Sequence, residues 1–79
     1  MEVLRNFLFK LMENKTADGY QIGINIDGVN SSDERDAIAE KLVSLKCLSN
    51  EWRGIGRSGI QGQFNYDRIK KVINDGEVG

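Results

Sequence analysis

Residues 31–66 read SSDERDAIAEKLVSLKCLSNEWRGIGRSGIQGQFNY, and this stretch decides the fold. Its first half predicts a capped amphipathic helix from Ser31 to about Lys46. Its second half, Leu48 to Tyr66, predicts a glycine-rich β-hairpin. Ser31 and Glu34 have the spacing of a capping box, in which the Ser31 hydroxyl accepts from the Glu34 N–H and the Glu34 carboxylate reaches back. Asp33, Glu34 and Asp36 set negative charge at the positive end of the helix dipole. Ile38, Leu42 and Leu45, flanked by Ala39 and Val43, form an apolar stripe at helical period. Cys47 and Leu48 then lead into the first strand of the hairpin.

Side-chain direction fixes the expected hairpin register. A three-residue loop Arg57-Ser58-Gly59, with Gly59 left-handed, pairs Gly56 with Ile60, Gly54 with Gly62, Trp52 with Phe64 and Asn50 with Tyr66. That register gathers Trp52, Ile60, Phe64 and Tyr66 on one face and leaves Arg53, Ile55, Gln61, Gln63 and Asn65 on the other. A two-residue Ser58-Gly59 loop would instead put Arg53 opposite Phe64. A slip of one residue exchanges buried and solvated sets, so the cleaner partition is preferred.

Outward from this unit the chain is simple. Glu2 to about Asn14 predicts a first helix, with Val3, Leu4, Phe7, Leu8, Leu11 and Met12 as its apolar face. Phe9 falls at the edge of that face, as a cover for the core rim or an exposed contact residue. Asp18-Gly19 is a turn signal. Tyr20 to Ile26 alternates, with Tyr20, Ile22, Ile24 and Ile26 expected on the core side and Gln21, Gly23 and Asn25 on the other. Asp27-Gly28 ends that strand. Asp67 is the expected cap of a last helix carrying Ile69, Val72 and Ile73, and residues 75–79 read as a fraying tail. The fold class expected is α+β, in the order α-β-α-β-β-α, with a three-stranded antiparallel sheet packed on helices.

The chain has 79 residues, which predicts one domain spanning 1–79 with a small core. With one cysteine and no histidine, neither a disulfide framework nor a zinc site is expected, and Cys47 reads as a small core residue. The composition suits a reducing, cytoplasmic setting. The N-terminal apolar residues are interrupted by Arg5, Asn6 and Lys10, which argues against a signal peptide or membrane span. Net charge is −1, so nothing pulls the whole molecule toward nucleic acid. The charge is uneven, however. Asp27, Asp33, Glu34, Asp36 and Glu40 make the start of the capped helix acidic, while Arg53, Arg57, Arg68, Lys70 and Lys71 make the hairpin and the last helix basic.

In this order of elements the chain resembles the winged-helix family. Glu2–Asn14 is similar to the family's first helix and Tyr20–Ile26 to its first strand. Ser31–Lys46 is similar to the last helix of its trihelical core, and Lys41-Leu42-Val43-Ser44-Leu45-Lys46-Cys47-Leu48 to the run from that helix into the wing. Glu51–Tyr66, with Arg57-Ser58-Gly59 at its tip, would be the wing. Asp27 to Asn30 leaves room only for a single turn where the family has a middle helix, unless the arrangement is a different α+β one. The resemblance implies DNA binding. An acidic helix start opposes phosphate contact, so the hairpin rather than the helix would lead it.

Gly54-Ile55-Gly56-Arg57-Ser58-Gly59 fits G-x-G-x-x-G, but a dinucleotide site needs a helix after the glycines and here a strand comes next. The glycines read as structural: Gly59 for the turn, Gly54 and Gly62 for a gap that Trp52 or a helix side chain fills. Trp52, Phe64 and Tyr66 fall on the helix side and read as core rather than as a stacking platform for bases. Without a histidine or an activated nucleophile, no enzyme, cofactor or metal is expected. The expected function is a small binding module. In the first version it contacts double-stranded DNA through Arg53, Arg57 and Gln61, with Lys70 and Lys71 as phosphate neighbours. In the alternative it binds a protein partner or a second copy through Asp33, Glu34, Asp36, Ile55 and Phe9. The basic hairpin face also suits an ordinary solvated surface that discourages aggregation.

Overall fold

Ser31 caps the central helix through the serine half of the expected capping box. In the computed structural model, which describes residues 2–76, the Ser31 side chain accepts from the backbone N–H groups of Asp33 and Glu34. The elements are α1 (Glu2–Glu13), β1 (Tyr20–Asn25), α2 (Ser32–Ser44), β2 (Arg53–Ile55), β3 (Gly59–Gln63) and α3 (Tyr66–Asp75). The strands form one antiparallel sheet in the order β1-β3-β2. Its helix-facing side holds the core with α1, α2 and α3. This is the expected α+β order. A turn at Asp27-Gly28 is all that separates β1 from α2 before the cap, as the short spacing implied.

The core forms where the helical stripes converge. Leu4, Phe7, Leu8 and Leu11 of α1 meet Ile38, Ala39 and Leu42 of α2 and Ile69 and Val72 of α3. Phe7 meets Phe64 edge-on, with ring centroids 6.5 Å apart, and so ties α1 to the end of β3. Cys47 is buried in this core. Burial of such side chains, at about 25 cal/mol per Å² of apolar surface, is what folds a chain this short.

Three expectations about the strands need correction. First, β1 does not alternate throughout. Tyr20 pairs with Gln63 and Gln21 with Gly62, but Ile24 pairs with Ile60, so β1 carries one extra residue. That residue is Gly23, whose φ of 71° is left-handed and unstrained only for glycine. The bulge reverses the first half of the strand. Gln21 is buried and Tyr20 and Ile22 are exposed, while Ile24 and Ile26 face the core as expected. Second, the hairpin loop is Gly56-Arg57-Ser58, not Arg57-Ser58-Gly59. Arg53 pairs with Gln61, Gly54 with Ile60 and Ile55 with Gly59. The left-handed glycine is Gly56, at φ 63°. The shift is two residues, so it leaves the faces unchanged: Ile60, Gly62 and Phe64 are buried, Trp52 is half-buried against the core, and Arg53 and Ile55 are exposed. Third, the expected first hairpin strand is short. Leu48 makes only an isolated bridge to Phe64, and Tyr66 is not in a strand opposite Asn50 but opens α3.

The cap of α3 is Asn65, whose side chain accepts from the Arg68 N–H, rather than Asp67. Asp67 instead adds charge to the first turn. Of the tail expected to fray, Asp75 ends α3 and Gly76 caps it in the left-handed conformation. Glu77, Val78 and Gly79 lie outside the described residues.

The gap at Gly54 is filled from α2. Arg35 lies one turn before Ile38 on the same helix face and is buried, at 6% exposure. Its Nη1 donates to the Gly59 carbonyl at 2.8 Å and to the Gly56 carbonyl at 3.3 Å, and its Nε donates to Asp36 at 2.6 Å. Its Cζ lies 6.0 Å from the centre of the Trp52 ring. A Cβ on Gly54 would stand 2.5 and 2.7 Å from its two terminal nitrogens. The guanidinium can make way only by releasing those carbonyls. Gly54→Ala is therefore expected to cost about 1–3 kcal/mol in urea denaturation. In an Arg35→Ala background that cost should largely vanish, because the clashing group is gone. Strictly additive effects would show that the two residues do not compete for the same space.

Candidate functional site

The side of the sheet away from the helices is the most distinctive surface. Its cross-strand rows are set by the register. Asn25, Gly59 and Ile55 form the row nearest the loop. Gln61 pairs with Arg53, and the register of Tyr20 and Gln21 continues to set Ile22 opposite Gln61. Gln63 and Tyr20 form the far row. Ile22 is 70% exposed, and Ile55 and Tyr20 are 39% exposed each. The backbone at Gly23 brings Ile22 and Ile55 into one patch: a Cβ on Gly23 would lie 4.0 Å from the Ile55 Cδ1. The Tyr20 hydroxyl accepts from the Gln61 amide at 2.5 Å, which holds both side chains down on the face.

Among the described residues no strand contains an aspartate or glutamate; the charges that the hairpin brings to this side are Arg53 in β2 and Arg57 in the loop, both exposed. Among the sequence-predicted DNA contacts, Arg53 and Gln61 are thus neighbours in one row, with Arg57 at the adjoining tip. Lys70 and Lys71 are exposed on α3, which packs on α1, whereas the hairpin packs on α2. They belong to the helix layer and are not joined to the hairpin arginines in one row. Asp33 and Glu34 are exposed in the first turn of α2, and Asp36 is exposed just past it. Phe9 is 42% exposed on α1, under the Arg5 guanidinium at 5.6 Å, and it does not meet Ile55.

Sequence reasoning missed Arg35 and Ile22. The signal for Arg35 was its place on the stripe of Ile38, Ala39 and Leu42, one turn earlier. The signal for Ile22 was the glycine beside it, since an isolated glycine in a strand marks a bulge. The loop and the start of β3 turn two carbonyls, of Gly56 and Gly59, onto the Arg35 cation. A phosphate cradle needs N–H donors aimed at the ligand instead. Among the described residues no three histidine, cysteine or acidic side chains cluster as metal ligands, and no helix is long and apolar enough to cross a membrane.

The free edge of β1 is closed at both ends. The Tyr20 carbonyl accepts from the Thr16 hydroxyl at 3.2 Å, and the Asn25 carbonyl accepts from the Lys10 ammonium at 2.8 Å. Lys10 also pairs with Asp27 at 3.1 Å. Such plugs discourage a further strand from adding there.

Behind that edge a polar network makes the inward Gln21 tolerable. Its amide donates to the Tyr66 hydroxyl at 2.7 Å and to the Leu11 carbonyl at 3.4 Å. Tyr66 also accepts from the Thr16 N–H at 3.0 Å and lies 3.1 Å from the Thr16 hydroxyl. Burial pushes the Tyr66 phenol up, but the hydrogen bonds from the Thr16 side chain, the Thr16 backbone and Gln21 outweigh it, so its pKa lies below the usual 10.0.

No family model matches this chain, and no curated protein or solved structure matches it either.

Tyr66→Phe leaves the buried Gln21 amide without its best acceptor and should cost about 1–3 kcal/mol. The pH dependence has a defined sign. With the folded pKa below the unfolded value of 10.0, the phenolate's contribution is complete above 10.0 and is lost as pH falls through the lowered value. Urea midpoints of the two proteins, measured from neutral pH to just above 10, should diverge further as pH rises through that window. Parallel curves would rule out the linkage.

Proposed function

We propose that this domain is a small protein-interaction module, without catalytic machinery, that binds through the open face of its sheet. The observation that carries this is the 70% exposure of Ile22 in mid-strand, with Ile55 and Tyr20 beside it. Single exposed apolar side chains are ordinary, but a contiguous group on one sheet face is a mark of an interaction surface. Covering a side chain of this size gains about 1.5–3 kcal/mol, and a protein partner brings the apolar surface that does so.

DNA binding through the hairpin is the second reading. It is favoured by the Arg53–Gln61 row with Arg57 next to it, and by a strand layer that carries no acid. The element order and the hairpin after α2 support the winged-helix resemblance. Against groove binding by α2 stands its exposed surface, where Asp33, Glu34, Asp36 and Glu40 outnumber Lys41 and would repel phosphates.

The two readings separate by experiment. A benzophenone amino acid substituted at position 22 or 55 in cells should give a protein adduct on irradiation, and the same group at Glu40 should not. Mixed duplex DNA titrated at low and moderate salt should not bind. Adducts at none of the positions would remove the protein reading. DNA affinity that falls steeply with salt and weakens in Arg53→Ala and Arg57→Ala would replace it with the second.

A further inference from the structure

We propose that the occupant of this face is a short acidic amphipathic segment of another protein, in which one or two large apolar side chains alternate with aspartate or glutamate. The inference rests on the protein-interaction reading above and adds the chemistry and size of the partner.

Size comes from the sheet. Gly59 to Gln63 is four residue steps, about 13 Å at 3.3 Å per residue, and three strands span about 10 Å. That outline covers about four extended residues or two turns of one helix. It falls far short of the roughly 800 Å² per partner of a stable globular interface. A peptide segment fits it, and a second folded copy does not gain enough from it alone.

Charge comes from the residues around the apolar centre. Ile22 and Ile55 lie next to Arg53 and Arg57, with the amides of Gln61 and Gln63 between and beyond. Of the acids near the strands, Asp18 before β1 and Glu51 before β2 enter at the end away from the loop, while Asp27 after β1 and Asp36 of α2 come at the loop end and are paired with Lys10 and Arg35. The loop half of the face is therefore positive and apolar together. An acidic apolar segment satisfies both properties, whereas a second copy set face to face would bring arginines against arginines. Bound this way, the segment neutralises Arg53 and Arg57 while its apolar side chains cover Ile22 and Ile55. The closed edge of β1 directs it onto the face rather than alongside that strand.

A display library of random twelve-residue peptides, selected on the immobilised intact protein, tests this. Enriched peptides should combine Asp or Glu with Leu, Ile, Phe or Trp. A fluorescent copy of one should lose about fivefold or more in affinity to Arg53→Glu and to Arg57→Glu, and should weaken with added salt. Ile22→Ser should weaken it comparably without lowering the urea midpoint. Enriched peptides that depend on Ile22 but are neutral or basic would overturn the acidic chemistry and leave the protein-interaction reading standing. No enrichment, or peptides indifferent to Ile22→Ser and Ile55→Ser, would overturn both. A concentration-dependent dimer in sedimentation that Ile22→Ser dissociates would replace the segment with a second copy.

Discussion

Arg35 is a cation held inside the domain, between the capped helix and the hairpin. A buried charge is costly unless it is paired and hydrogen-bonded, and this one is satisfied from two directions. Asp36, the next residue, supplies the counter-charge, and its carboxylate is half in solvent, with 52% of its side chain exposed. The carbonyls of Gly56 and Gly59 supply the neutral acceptors. Much of the hairpin answers to this arrangement. Gly54 has no side chain because the guanidinium fills its place. Gly56 takes the left-handed conformation that closes the loop, and the loop presents its oxygens inward to the cation. The Trp52 ring lies beside the same group. The helix and hairpin are thus docked in one orientation by directional bonds, which non-directional apolar packing does not by itself supply.

A second constraint acts across the sheet. The extra residue at Gly23 divides β1 into a half that faces the core with Ile24 and a half that faces it with Gln21. An amide in that position is stable because Tyr66 and the Leu11 carbonyl accept from it, and because Tyr66 is itself fixed by Thr16. Turning Gln21 inward necessarily turns Ile22 outward. The exposed patch and the buried network are two consequences of one bulge. A regular strand would have placed Ile22 in the core and left Ile55 without it on the outer face of the sheet.

What was legible in the sequence was local. The Ser31 cap, the first helix, the element order and the parity of the hairpin depend on neighbours within a few residues. The hairpin loop shows the limit. Gly56 and Gly59 both suit a turn, and registers two residues apart give the same faces, so burial pattern could not choose between them. In the observed register both carbonyls meet Arg35, which is 21 residues away from Gly56 and 24 from Gly59 and so outside any local reading. Asn65 capping α3 in place of Asp67 is a smaller case: both residues are good caps, and the bridge that brings Leu48 to Phe64, with the Asn65 N–H bonded to the Cys47 carbonyl, sets where the helix begins. Of the candidate contacts, Arg53, Arg57, Gln61 and Ile55 were readable as one hairpin surface. Ile22 was not, because its outward direction depends on the bulge.

The same geometry explains why the charge asymmetry of the chain does not cancel on folding. Arg35 comes from the acidic stretch but holds its charge inside, where Asp36 and two carbonyls meet it. The exposed surface of α2 is left more acidic than its sequence alone suggests. Arg53 and Arg57 keep theirs outside, on strands and a loop that carry no acid. The exposed surface of α2 and the hairpin therefore present opposite signs to solvent, although the whole chain has a net charge of only −1. Fields of this kind act over about 8 Å at physiological salt, less than the thickness of the domain, whose shortest extent is 21 Å. A partner approaching the sheet face meets the arginines directly, while Asp36, the acid that α2 brings up to the hairpin loop, is paired there with Arg35. Net charge is consequently a poor guide to what this domain attracts, and the local composition of the face is a better one.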